Sequence, residues 1–184
     1  MPDLIIKTSA RGSVSAYGEA TALVQILLNT QRGDDTRAWF VFEIPAMQGA
    51  VLRASLRMHV SRVEPLTPQI VHLHVYSGDI SRLITSAGEH EWQALTSGTP
   101  LAQRTITPAN AGKLVDIPLS PDAGRMIAST AGKRFAIGAA MLRTSENPPL
   151  DHLVAGPMEA IPDDGKSALV LGVGVAATGT ATRH

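Results

Sequence analysis

The chain of 184 residues contains no cysteine. Disulfide staples, thiolate zinc sites and thiol nucleophiles are therefore excluded together. Aromatic residues are scarce, two Trp, two Tyr and three Phe, which leaves little for a sugar-stacking platform once a core has taken its share. No sign of charge prevails: sixteen Lys and Arg face sixteen Asp and Glu. Without a global field, neither nucleic acid nor an anionic membrane surface is an expected partner. No apolar run approaches the roughly 18–20 residues that span a bilayer, so membrane insertion is not expected. The start, Met1 to Lys7, lacks the basic residues and the apolar stretch of about 7–15 residues of a secretory signal, so this chain is read as carrying no signal peptide. Charged residues make up only 17% of the chain and hydrophobic ones 44%, a balance that excludes disorder and suits a sizeable core.

The pattern that is present has period two, the repeat of a half-buried strand. Phe40, Phe42 and Ile44 point one way, while Trp39, Val41 and Glu43 point the other. Ala54, Leu56, Met58 and Val60 form an apolar face against Arg53, Ser55, Arg57, His59 and Ser61. After a loop with Pro65 and Pro68, Val71, Leu73 and Val75 face in and His72, His74 and Tyr76 face out. Further strands are expected at 4–8, 21–28, 103–107, 113–117, 134–141, 150–155 and 167–175. Such alternation suits antiparallel sheet with one wet face. Asp79 caps a short helix carrying Ile80, Leu83 and Ile84. Ser120, Pro121 and Asp122 start another, with Ala123, Ile127 and Ala131 as its buried stripe and Gly132 as its stop. Glu89-His90-Glu91 reads as a solvated loop. The fold class is all-β: a two-layer antiparallel β-sandwich, jelly-roll-like, with one or two short helices. It forms a single domain over residues 1–175, and 176–184 is read as a flexible C-terminal tail that could also dock.

The segments Arg37–Pro45 (RAWFVFEIP) and Val51–Val60 (VLRASLRMHV) bring a known pattern into view. Together with Leu95–Thr99 (LTSGT), Val115–Leu119 (VDIPL) and Gly132–Gly138 (GKRFAIG), they resemble the bacterial DNRLRE-type β-sandwich modules and their carbohydrate-binding-like relatives. The resemblance covers roughly residues 37–142, and its motifs are structural ones set by strand packing. Glu43 stands where that pattern has Asp, and the DNRLRE hexapeptide itself is absent. The resemblance implies a jelly-roll-like sandwich of surface or extracellular proteins, without catalysis and without a specified ligand.

Motifs for catalysis are missing. Gly165-Lys166-Ser167 ends like a phosphate loop, but Ala160 stands where the first glycine belongs and a strand follows in place of a helix. Gly172-x-Gly174 follows a strand with too little chain left for a dinucleotide fold. No Gly-x-Ser-x-Gly elbow and no His-Glu-x-x-His occurs. His72 and His74 share a strand face, and a hairpin centred near residues 65 and 66 would bring His59 opposite His72. Arg57 beside that cluster opposes a dication, so neither a metal nor a cofactor is assigned. The acid pairs Asp34-Asp35 and Asp163-Asp164 read as soluble turns, with calcium as the sharper alternative.

The best ligand candidates are the polar-face residues Arg53, Arg57, His59, His72, His74 and Tyr76, planar donors and one ring suited to a glycan or a protein's acidic rim. The strand around Trp39 and Val41 is apolar on both sides, so another layer of the chain or a second subunit covers it. The first is the stronger reading; under the second, Trp39 and Val41 are the interface of a homo-oligomer. The chain is thus expected to be a non-enzymatic binding module, extracellular or surface- or particle-associated. The alternative is a structural jelly-roll subunit of an oligomeric assembly such as a phage or other particle.

Overall fold

The computed structural model describes residues 3–22, 27–31, 34–64, 68–141, 152–155 and 167–174. In chain order the elements are β1 (Asp3–Ser15), β2 (Ala20–Ala22), β3 (Leu27–Gln31), β4 (Asp34–Glu43), β5 (Ala50–Val60), β6 (Arg62–Glu64), β7 (Gln69–Val75), α1 (Ile80–Ser86), α2 (Glu89–Ala94), β8 (Pro100–Ile106), β9 (Lys113–Pro118), α3 (Pro121–Ser129), β10 (Arg134–Met141), β11 (His152–Ala155) and β12 (Ser167–Gly174), with one 3-10 turn at Pro108–Asn110. Every strand pair is antiparallel. The expected all-β sandwich is the fold, and its sheet nearly closes into a barrel.

The front sheet runs β1-β12-β5-β9 and the back sheet β8-β7-β10-β4-β1. Strand β1 belongs to both. Asp3 to Lys7 pair with β12, then the register shifts between Thr8 and Ala10, and Ala10 to Ser15 pair with β4. A bulge of one residue exchanges the two faces of a strand. Before it Ile6 points into the core; after it Arg11, Ser13 and Ser15 lie opposite Phe40, Ala38 and Thr36, and all three are buried. The fully buried Arg11 donates from Nη1 to Ser167 Oγ at 3.1 Å. At the opposite corner β8 and β9 approach without pairing, and the Ser120 N–H donates to Leu101 O at 2.7 Å. No helix among the described residues is long and apolar enough to cross a membrane.

The inward sets expected from period two form the core: Phe40, Phe42 and Ile44 from β4, Ala54, Leu56, Met58 and Val60 from β5, and Val71 and Leu73 from β7. Asp79 caps α1, its Oδ1 accepting the Ser81 and Arg82 N–H groups at 2.8 and 3.3 Å. Helix α3 follows Ser120 with Pro121 at its first position, buries Ala123 and Ile127, and is followed by Gly132 at φ +77°.

Two readings are corrected here. Glu89-His90-Glu91 opens a helix, α2, and Glu91 is 1% exposed. The solvated-loop expectation fails because Glu91 satisfies the helix's own first turn, accepting the Gly88 N–H at Oε2 (3.0 Å), while its second oxygen faces Arg82 of α1 at 3.1 Å. Second, the reading of Trp39 and Val41 as a subunit interface fails and the stronger one holds, because their cover comes from the chain itself. Both are fully buried, in a second apolar cluster with Ala10, Val14, Tyr76, Leu83, Leu95 and Ala136. Helices α1 and α2 form a third layer there, so neither residue is available as a subunit interface. Trp39 lies between Gly12 of β1 and Gly138 of β10, and the missing side chain at Gly138 lets the Leu95 backbone at the end of α2 close onto the sheet beside it. Arg37 fastens the layer: its guanidinium sits 3.6 Å from the Trp92 ring centroid and donates to Trp92 O at 2.7 Å.

The tail at 176–184, the acids Asp163 and Asp164, the loop around Asn147 and the prolines at 148 and 149 lie outside the described residues, as does the side chain of Asp34.

Candidate functional site

The ligand candidates are divided between the two sheets. Strand β5 pairs with β12 and β9, while β7 pairs with β10 and β8. The connection from β5 leads through β6, which pairs with β11, so β5 and β7 do not form a hairpin. His59 consequently stands on the outer face of the front sheet and His72 and His74 on the outer face of the back sheet, with a sandwich about 10 Å thick between the sheets. The expected three-histidine cluster does not form. Among the described residues no group of three or more His, Asp or Glu could hold a metal ion.

On the back sheet the His72 and His74 rings are stacked, 6.4 Å apart between centroids. His74 Nδ1 lies 3.2 Å from Gly98 O, and His72 Nε2 is buried without a hydrogen-bond partner among the described residues. Burial, and then the neighbouring His74, hold the His72 pKa below the ordinary imidazole range. Tyr76 is 4% exposed, and its hydroxyl donates to Asp79 O at 3.4 Å. Its expected place in a ligand face is corrected: it is a core residue beneath α1 and α2. Alternation could not reveal this, because an outward side chain is wet only where no third layer lies above it.

Glu91 is the charged centre of that third layer. Burial alone would push its carboxyl up. The hydrogen bonds from His90 and the backbone N–H groups of Glu91 and Gly88, with the charge of Arg82, outweigh this and hold it below the ordinary range. The sign of the pH dependence follows. The unfolded chain binds a proton at His72 below about pH 6.5 where the folded one resists it, so stability falls as pH drops through that value. Glu91 contributes stability that is present above about pH 4.3 and is lost as pH falls towards its lower folded value. Melting temperature should therefore decline from about pH 6.5 downwards and more steeply below about pH 4.3. Glu91→Gln should flatten the second descent and leave the first; an unchanged acid limb in thermal scans of the variant contradicts this assignment.

Among the described residues no helix lies over the front sheet's outer face. Its residues form rows across β1, β12, β5 and β9: Asp3, Gly172 and Arg53; then Ile5, Val170, Ser55 and Pro118; then Lys7, Ala168, Arg57 and Asp116; then His59 and Leu114. Two ion pairs lie flat along it. Arg53 Nη2 reaches Asp3 Oδ1 at 2.6 Å, and a side chain at Gly172 would place its Cβ 2.6 Å from Arg53 Nε, so the glycine lets the arginine cross the intervening strand. Arg57 binds Asp116 bidentately at 2.7 and 2.8 Å, which holds the Asp116 carboxyl below and the Arg57 guanidinium above their ordinary ranges. Lys7 has no side-chain partner among the described residues. Ile5, Leu52 and Leu114 are more than half exposed. Where β5 and β9 meet the start of α3, a groove of about 310 Å³ opens, lined by Leu52, Arg53, Ser55, Pro118 and Ser120.

Arg53, Arg57 and His59 thus share one open face, and sequence reasoning missed its other members, Asp3, Ile5, Lys7, Leu114 and Asp116. Alternation marks each as outward on its own strand, but which strands lie side by side is not written in any one of them. Fold and face together define a β-sandwich with helices against one sheet and, among the described residues, none over the other. No family model matches the chain, and no curated protein matches it.

Proposed function

We propose that the chain is a non-catalytic β-sandwich binding module of a surface or extracellular system, and that it binds through the uncovered outer face of the front sheet. The observation that carries this is an asymmetry of apolar exposure: α1 and α2 cover the apolar part of the back sheet's outer face around Trp39, Val41 and Tyr76, while the front sheet leaves Ile5 and Leu114 more than half exposed among charged side chains. The resemblance to DNRLRE-type modules supports the same class. None of the face's rows holds an aromatic residue, which favours a protein partner over a stacked glycan. The second reading, a structural subunit of an assembly, is favoured by the flatness that Gly172 and the two side-lying arginines give this face.

The absence of cysteine supplies the test. Ser55→Cys carries a single environment-sensitive fluorophore in the middle of the open face, and Ser97→Cys carries it beyond α2 on the covered side. Neutral and acidic oligosaccharides and acidic and basic peptides are then titrated. A saturable response of the Ser55 probe with a silent Ser97 probe is the expected result. A response at Ser97 alone, or none at either, overturns the assignment of the face.

A further inference from the structure

We propose that the partner of the open face is a second copy of the same chain, docked face to face about a two-fold axis parallel to the strands and lying between β12 and β5. The inference rests on the open sheet being the binding face and names its occupant.

The register decides the geometry. Rotation about that axis lays β1 of one copy over β9 of the other and keeps every row in place. Lys7, which has no side-chain partner among the described residues, then stands over Asp116 of the second copy, and Asp116 over its Lys7. Each Asp116 lies between its own Arg57 and the incoming ammonium, an acid flanked by two bases, with carboxylate lone pairs to accept both. In the next row Ile5, 52% exposed, stands over Pro118, which lines the groove beside α3, so an apolar knob meets an apolar hollow twice over. Arg53 lies flat over Gly172, which leaves the row above low enough for the second sheet to approach. The other in-plane axis, perpendicular to the strands through the Ile5 row, sets Lys7 over Asp3 but also Arg53 over Arg57 and Ile5 over Ile5, so each attraction is offset by a repulsion and the groove stays unfilled. Charge complementarity favours the first.

The face is small. Four strands at about 4.8 Å and five residues at about 3.4 Å present roughly 330 Å² per copy, below the size of a standard stable interface. A reversible dimer seen only at high concentration is therefore expected.

Sedimentation equilibrium of the tag-free chain, from about 10 μM to about 1 mM, reads this directly. The weight-average mass should climb from 19.4 kDa towards twice that value. Lys7→Glu should weaken association at least about tenfold, because the two-fold axis turns two charge pairs into two repulsions. Asp116→Lys should do the same, and the double variant Lys7→Glu/Asp116→Lys should recover it, with thermal scans confirming that each variant folds. A mass fixed at the monomer throughout overturns self-docking, while the Ser55 probe still decides whether the face binds anything else. A dimer that ignores Lys7→Glu, or a double variant that fails to recover, overturns the proposed axis.

Discussion

Replacing Trp39 by Ala should lower the unfolding free energy by about 3–5 kcal/mol, the range for emptying a large buried aromatic site. In a chain of this length that corresponds to a fall of roughly 10 °C in melting temperature. The expectation rests on the residue's surroundings. The indole is completely buried, between two glycine positions that cannot fill the vacated space and beneath Leu83 and Leu95 of the helical layer. Trp39→Phe is the informative companion. The Trp39 Nε1–H has no acceptor among the described residues, so phenylalanine gives up volume but no hydrogen bond, and about 1–2 kcal/mol is expected. Equal losses for the two variants would mean that the indole N–H has a partner and that the pocket tolerates collapse. Urea denaturation followed by circular dichroism separates the two cases.

Gly138→Ala should cost about 3 kcal/mol, at the upper end for overpacking by one methyl group. A Cβ at this position would run into the backbone carbonyl of Leu95, well inside van der Waals contact. A backbone carbonyl cannot rotate aside as a flexible side chain can. Either β10 must leave its register beside Trp39 or the end of α2 must lift from the sheet, and each uncovers part of the second apolar cluster. Gly88→Ala serves as the control. Its nearest atom is Glu91 Oε2 at 3.7 Å and its backbone is extended at φ −148°, so a change within about 1 kcal/mol is expected there. If both substitutions prove equally mild, the third layer is not held at the distance described.

These two positions also show where sequence reasoning stops. That Trp39 and Val41 face away from Phe40 and Phe42 follows from the pleat, and that a Trp-Val pair needs cover follows from the hydrophobic effect. What provides the cover does not follow. Leu83 and Leu95 are separated from Trp39 by more than forty residues, and α2 was hidden behind two glutamates and a histidine that look solvated. The polar character of Glu91 gave the wrong impression, since a buried carboxylate is stable when its lone pairs meet a helix N-terminus and an arginine.

The candidate face is divided in the same way. The outward placement of Arg53, Arg57 and His59 was legible from a clean two-residue alternation along β5. The partners of these side chains, Asp3 from the first residues of the chain and Asp116 from well beyond the middle, were not.

Local chemistry therefore settles a definite share of this protein. Side-chain alternation sets which residues each strand turns inwards, the Asp79 side chain and Pro121 set where α1 and α3 begin, and the lack of cysteine closes disulfide and thiolate chemistry to it. These depend on a residue and its near neighbours, with energies fixed within a few positions along the chain. Strand order, the splitting of β1 between two sheets, the separation of His59 from His72 and the covering of the apolar part of one outer face belong to long-range pairing. Their energies come from contacts between segments tens to more than a hundred residues apart, as in β1 against β12. No periodicity within a single segment encodes which other segment will bury it.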